Sequence, residues 1–198
     1  SRGLECLSWI REAEDALGRA DYEVAASHLR RVTAYLWATQ DLELYPQYTR
    51  KLCDCYLAGA HARRVEGNLV QAAYLYRAAA SCLRDLGDEA GAARCKGIVA
   101  EYYESLLRSG FAGVKVTPRE LKSIGDYFKA SDRGLDAAQC YLKAANAASE
   151  AAKLLLAAGL FRDAGDAYRA AGESRLALQG YEDAAELYAR SGSDFEAA

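Results

Sequence analysis

Methionine is absent from this chain of 198 residues, and proline, histidine and tryptophan occur twice each. Asparagine stands only at positions 68 and 146. With Pro46 and Pro118 alone, few positions force a helix to break. Two histidines, His28 and His61, form no His-Glu-x-x-His pair and give little material for imidazole chemistry. No stretch approaches the roughly 20 apolar residues of a membrane-spanning helix. The longest, LLLAAGLF at 154–161, is split by Gly159. Charge of one sign is also missing: 25 basic residues face 28 acidic ones, for a net charge of −3. The signs are interspersed, with 14 basic and 15 acidic residues through position 110. A chain without a basic half gains little on nucleic acid. The Arg30-Arg31 and Arg63-Arg64 pairs read as solvated helix faces.

The motifs of chemistry are equally scarce. GDEAGAARCKG at 87–97 has glycines and a lysine but not the order of a phosphate loop, and no strand precedes it. No Gly-x-Ser-x-Gly elbow occurs. Cys53 and Cys55 in CDC lie about 200° apart on a helix and cannot share a metal. Carboxylates recur in helical pairs: Glu12 with Asp15, Glu101 with Glu104, Asp163 with Asp166, and Glu182 or Asp183 with Glu186. Di-metal bundles pair such residues with Glu-x-x-His, which is absent, so solvated faces are the better reading. The sequence therefore predicts no catalytic residue, no cofactor and no metal.

What is present is alanine at helical spacing. Alanine is the best helix former and lets helix axes approach closely. Leu4, Leu7, Ile10, Ala13 and Leu17 mark a first helix over 3–18. Asp21 caps a second from Tyr22 to Thr39, carrying Leu29, Val32, Leu36 and Trp37. A third spans about 46–65 and a fourth 69–86; a fifth reaches Arg108. SGFAGVKVTPRE then loses the helical period. TPRE restarts it as a capping box, with Thr117 as cap, Pro118 in the first turn and Glu120 three residues on. The sixth helix ends near Ala130. A seventh is expected from Leu135 to Ala158, an eighth to Ala171, and a ninth from Ser174 to Arg190. SDFEAA at 193–198 reads as the first turn of another. Short connections make these antiparallel neighbours. The prediction is one all-α domain over 1–198 with a joint at 110–117.

One pattern repeats. GYEDAAELY at 180–188 sets Tyr181, Ala184, Ala185 and Tyr188 on one helical stripe. LFRDAGDAY gives Phe161, Ala164, Gly165 and Tyr168; NLVQAAYLY gives Leu69, Ala72, Ala73 and Tyr76. DYEVAASHL gives Tyr22, Ala25, Ala26 and Leu29, and GLDAAQCYL keeps Ala137, Ala138 and Tyr141 behind Gly134. A bulky–small–small–bulky stripe needs a neighbour on each side to be buried, which is how stacked arrays form.

The chain here resembles the tetratricopeptide-like helical repeats, whose second helix opens Gly-x-aromatic and continues with alanines and aromatics. QGYEDAAELYARSG, AGLFRDAGDAYRAAG and EGNLVQAAYLYRAAA carry the resemblance. Its alanine–tyrosine texture is loosely similar to the soluble attachment proteins of vesicle fusion. Matching helices do not recur at the family's spacing near 34 residues, so the expectation is an irregular α-α superhelical array of about nine antiparallel helices. The resemblance implies a non-enzymatic scaffold or adaptor whose partner is a protein or peptide. Two alternatives stay open. One is an interaction fragment of a larger regulator or enzyme, since the chain opens without Met and stops inside SDFEAA. The other is a bundle binding a small molecule or metal.

Tyr102 and Tyr103 in EYYE, and Tyr127 and Phe128 in DYF, flank the irregular loop. Adjacent aromatics cannot both face one core, so these four are the candidate partner contacts. Scarce Met, Asn and Gln suit a thermophilic source, in whose cytosol disulfides persist. The six cysteines are then buried thiols or partly bridged. Cys82 and Cys95, symmetric about Gly87-Asp88, are the pair a hairpin would bring level. The N-terminus turns charged and helical too early for a signal peptide, so a soluble cytoplasmic protein is expected.

Overall fold

The computed structural model describes the backbone of residues 2–196 and the side chains of residues 3–192. Among the described residues there are nine α-helices and no strand: α1 (Arg2–Gly18), α2 (Tyr22–Ala38), α3 (Tyr45–Val65), α4 (Leu69–Asp85), α5 (Glu89–Arg108), α6 (Pro118–Ala130), α7 (Gly134–Glu150), α8 (Leu154–Ala170) and α9 (Ser174–Glu196). The chain divides into two compact units, residues 1–106 and 107–198. In the first, α1 packs on α2, α2 on α3 and α3 on α4. The rings of Tyr76 and Tyr102 meet edge to face at 6.1 Å between α4 and α5. In the second, α6, α7, α8 and α9 pack in chain order.

Most corners are built alike. At Ala20, Gln40, Gly67, Gly87, Asp132, Ala152 and Gly172 one residue turns to φ between 55° and 82°. Its N–H donates three residues back, and the next N–H donates five back, as in Asp88 N–H to the Leu83 carbonyl at 2.8 Å. This Schellman arrangement satisfies carbonyls that a helix end leaves open. The second corner residue begins the next helix. Asp21, Asn68 and Asp88 accept from backbone N–H groups three residues on, at 3.3, 3.2 and 2.8 Å. Arg133 and Lys153 make no such cap. Four residues after each starting residue stands an alanine: Ala25, Ala72, Ala92, Ala137, Ala157 and Ala177, none more than 3% exposed. After the Gln40 corner a further turn intervenes before α3, held by Asp41 accepting from Leu44 N–H at 3.0 Å.

This geometry corrects several sequence expectations. The seventh helix ends at Glu150, not Ala158. Ala152 turns at φ 55° and the chain reverses between two alanine-rich helices. No Gly or Pro marks the spot. The α9 helix runs unbroken through Glu196 instead of stopping at Arg190, so no new helix starts at 193; the side chains of 193–198 lie outside the described residues. On α1 the buried positions are Cys6, Ala13 and Ala16, whereas Leu4 and Leu7 are exposed. Trp37 is 64% exposed although Leu29, Val32 and Leu36 beside it are core. Tyr181 is half-buried and Ala184 buried, but Ala185 and Tyr188 are exposed, because α9 has a described neighbour on one side only. On α7 and α8, flanked on both sides, the same stripe is covered.

The apparent irregularity of spacing also resolves. Ala20 and Gln40, Gly67 and Gly87, Asp132 and Ala152, and Ala152 and Gly172 are each 20 residues apart. A helical hairpin therefore occupies about 40 residues, longer than the 34 of tetratricopeptide repeats. The five stripes read from sequence belong to two phases: those of α2, α4 and α7 start one residue after the corner, those of α8 and α9 two turns later. In the second unit the 40-residue repeat carries a side-chain lock. Tyr141 on α7 donates its hydroxyl to Asp126 on α6 at 2.7 Å, and Tyr181 on α9 donates to Asp166 on α8 at 2.8 Å. Gly125 and Gly165, one residue before each aspartate, leave room for the rings. A Cβ there would lie 2.6 Å from the Tyr141 ring and 2.8 Å from that of Tyr181.

Two stability changes of opposite sign follow. Gly125→Ala forces the buried Tyr141 ring aside and is expected to cost about 1–3 kcal/mol. Ala152→Gly removes a strained left-handed alanine and is expected to add about 0.5–1 kcal/mol after the entropy of the unfolded glycine. Urea midpoints for the two variants check both signs.

Candidate functional site

The first unit holds an open cleft of about 640 Å³ lined by Arg30, Thr33, Ala34, Trp37, Tyr45 and Asp85. Its wall is built by helical periodicity. Arg30, Thr33, Ala34 and Trp37 stand at i, i+3, i+4 and i+7 and share one face of α2. The Thr33 hydroxyl turns back to the Arg30 carbonyl at 3.1 Å, which keeps this buried polar atom satisfied. Trp37 lies in the last turn of α2. Behind it, Thr39 Oγ donates to the Tyr35 carbonyl at 2.9 Å and closes the helix end. Tyr45 opens α3 and sets its ring 5.3 Å from that of Trp37, tilted 51°. Asp85 is the last residue of α4.

The charged groups of this cleft are not used internally. Among the described residues, neither the Arg30 guanidinium nor the Asp85 carboxylate has an ion pair or a side-chain hydrogen bond, and both side chains are exposed. Burial pushes the Tyr56 hydroxyl up to about 12, and the positive charge of Arg30 works against that shift. Arg63 joins Glu23 across α3 and α2 at 2.6 Å and Glu66 at 2.8 Å, so half of the Arg63-Arg64 pair is an interhelical clasp.

The sequence-derived candidates fall elsewhere. Tyr103 is 2% exposed and Phe128 fully buried, so neither offers an exposed ring. Tyr102 is half-buried against Tyr76. Tyr127 is half-buried, its ring 5.7 Å from Phe128. The irregular loop is pinned, not open. Gly110, Phe111 and Gly113 all take positive φ, Phe111 is buried, and Lys143 of α7 lies over its ring at 5.2 Å while donating to the Gly110 carbonyl. His28 lies across α2 from Glu12 on α1, its Nδ1 at 3.0 Å from Glu12 Oε2. His61 is exposed on α3.

Cys82 and Cys95 do not form the bridge that hairpin symmetry favours; both are free thiols, as are Cys6, Cys53, Cys55 and Cys140, and all six are buried. Burial pushes Cys53 and Cys140 up to about 12 and Cys55 and Cys82 up to about 11. Thiols held protonated in this way are poor nucleophiles.

No family model matches the chain, and no curated protein matches it. Two solved structures are similar over most of its length. BtubC (BKLC) from P. vanneervenii is 15% identical, over 94% of this chain and 91% of that one, with a TM-score of 0.47. The MamA protein is 13% identical, over 96% of each chain, with a TM-score of 0.41. Both scores lie below 0.5, and neither likeness assigns the chain a function.

The thiols give a pH prediction. Their folded values lie above the ordinary 9.0, so the folded chain holds protons that the unfolded chain has released. Stability is full below about pH 9 and falls as pH rises from 9 towards 12. Denaturation midpoints measured across that range should decline. At pH 8 an aromatic disulfide reagent should titrate few thiols in the folded chain and all six after unfolding.

Proposed function

We propose that the chain is a non-enzymatic scaffold that binds a segment of a protein partner, and that the α2–α4 cleft of the first unit is where the segment docks. The observation that carries this reading is the cleft itself. A tryptophan 64% exposed, a second aromatic ring and two unpaired charges of opposite sign share one concavity. Exposed tryptophan is costly in water and is enriched where partners anchor. The buried, protonated cysteines and the separated histidines favour binding over catalysis. Interspersed charge favours a protein partner over nucleic acid. A tetratricopeptide-like array working as an adaptor, in the manner of the vesicle-fusion attachment proteins that the alanine–tyrosine pattern resembles, is the role proposed for it, in the cytoplasm.

The test is selection of a random 12-residue display library against the intact chain. Two tryptophans give two indole N–H signals, and a Trp37→Phe variant assigns them. Enriched peptides should shift the Trp37 signal, spare that of Trp9, and lose about tenfold or more in affinity on Trp37→Ala, within the range of an aromatic anchor. Enrichment no better than that on the Trp37→Ala chain would overturn the proposal.

A further inference from the structure

The cleft is polar along its length, and that polarity specifies its occupant. Arg30 and Trp37 are seven residues apart on α2, about 10.5 Å along the axis. Trp37 and Asp85 stand in the last turns of α2 and α4, so the aromatic end of the cleft is also its acidic end. Helix C-termini carry partial negative charge, and the last turn of α2 holds no basic residue to offset it. Arg84, beside Asp85 in sequence, does not line the cleft. An indole face is the best of the aromatic surfaces for a cation. Arg30 marks the opposite end as the place for an anion.

We infer that the cleft takes an extended peptide segment with a basic residue at the Trp37–Asp85 end and an acidic residue at the Arg30 end. This inference rests on the peptide-binding reading above and adds the chemistry of the peptide. The basic side chain lies over Trp37 with Asp85 as its counter-charge, and the acidic side chain pairs with Arg30. A polyproline II segment turns once in three residues and rises about 3.1 Å per residue, so residues three positions apart face the same side about 9.3 Å apart and match the two ends. Among the described residues neither Arg30 nor Asp85 is held in an ion pair or a side-chain hydrogen bond, so docking displaces no such pair. An apolar segment would leave Arg30 and Asp85 unpaired beneath it, and a cation at the Arg30 end would meet like charge. Order along the segment selects between the two directions in which a peptide could lie.

The experiment uses the intact chain and two acetylated, amidated hexapeptides, one with Arg three residues before Glu and the other reversed. One order is expected to shift the Trp37 indole signal with a dissociation constant in reach of titration. Replacing its Arg by citrulline, which keeps the shape and removes the charge, should weaken binding about fivefold or more. Asp85→Asn should weaken it similarly. Asp85→Lys should abolish it and favour the peptide in which Glu replaces Arg. Arg30→Gln should be felt only by peptides that keep the Glu. Equal binding of the arginine and citrulline peptides, or indifference to Asp85→Lys, overturns the charge assignment. If neither hexapeptide binds while peptides from the random library do, the charge arrangement is wrong and the docking cleft stands. If the library peptides also ignore Trp37, the docking reading itself has failed.

Discussion

A helix that stops must find partners for its last carbonyls, and a helix that starts must do so for its first N–H groups. In this protein both needs are met within two residues, at corner after corner. One residue crosses into positive φ, and the next opens the following helix. So short a connection fixes consecutive helices as antiparallel neighbours, and it fixes their register. The alanine four residues into each following helix is the packing consequence: the position is buried at all six corners where it occurs. The 20-residue step between corners and the 40-residue Gly-Asp…Tyr lock both follow from holding this geometry constant. The cost of the positive-φ residue is small where it is glycine. At Ala20, Gln40, Asp132 and Ala152 the chain accepts strain to keep the same turn.

Sequence showed the fold where it uses residues with one physical meaning. Thr117-Pro-Arg-Glu120 announces a capping box, and the reciprocal bonds are present at 3.3 and 2.9 Å. Asp21 and Asn68 precede helices because their side chains cap them. Helix number and class were legible for the same reason. The α7–α8 corner was not, because alanine at Ala151-Ala152 carries the strongest helix propensity while tertiary packing demands a turn. The phase of the stripe was lost because a bulky–small–small–bulky pattern repeats after two turns of a single helix. Five stripes that looked equivalent were two halves of one longer seam.

The site was less legible still. Adjacent aromatics drew attention to Tyr102, Tyr103, Tyr127 and Phe128, since a pair cannot share one core. The structure resolves that conflict by burying Tyr103 and Phe128 fully and their neighbours by half, which leaves no exposed ring of the kind expected. Trp37 looked like the end of a core stripe. It sits one residue past Leu36, and a single residue turns a helix by 100°. That step is the difference between core and cleft. Asp85 carries no signal in sequence at all, because its place in the cleft depends on where α4 ends relative to α2.

Charged groups serve as interhelical clasps in both units: in the first, Arg63 on α3 pairs with Glu23 on α2 at 2.6 Å. In the second unit acidic groups hold helices together. Asp126 accepts from Tyr141 and pairs with Lys122 at 3.0 Å, and Lys122 reaches Asp163 on α8 at 3.4 Å. Asp166 accepts from Tyr181 and pairs with Arg169 at 3.3 Å. A ligand competing for these groups would have to loosen interhelical contacts to bind. Among the described residues Arg30 and Asp85 form no ion pair or side-chain hydrogen bond, and Trp37 stays 64% exposed beside the Tyr45 ring. Charged groups outside any ion pair can be matched by another molecule without breaking an internal one, and in the first unit Arg30 and Asp85 line one cleft together with Trp37.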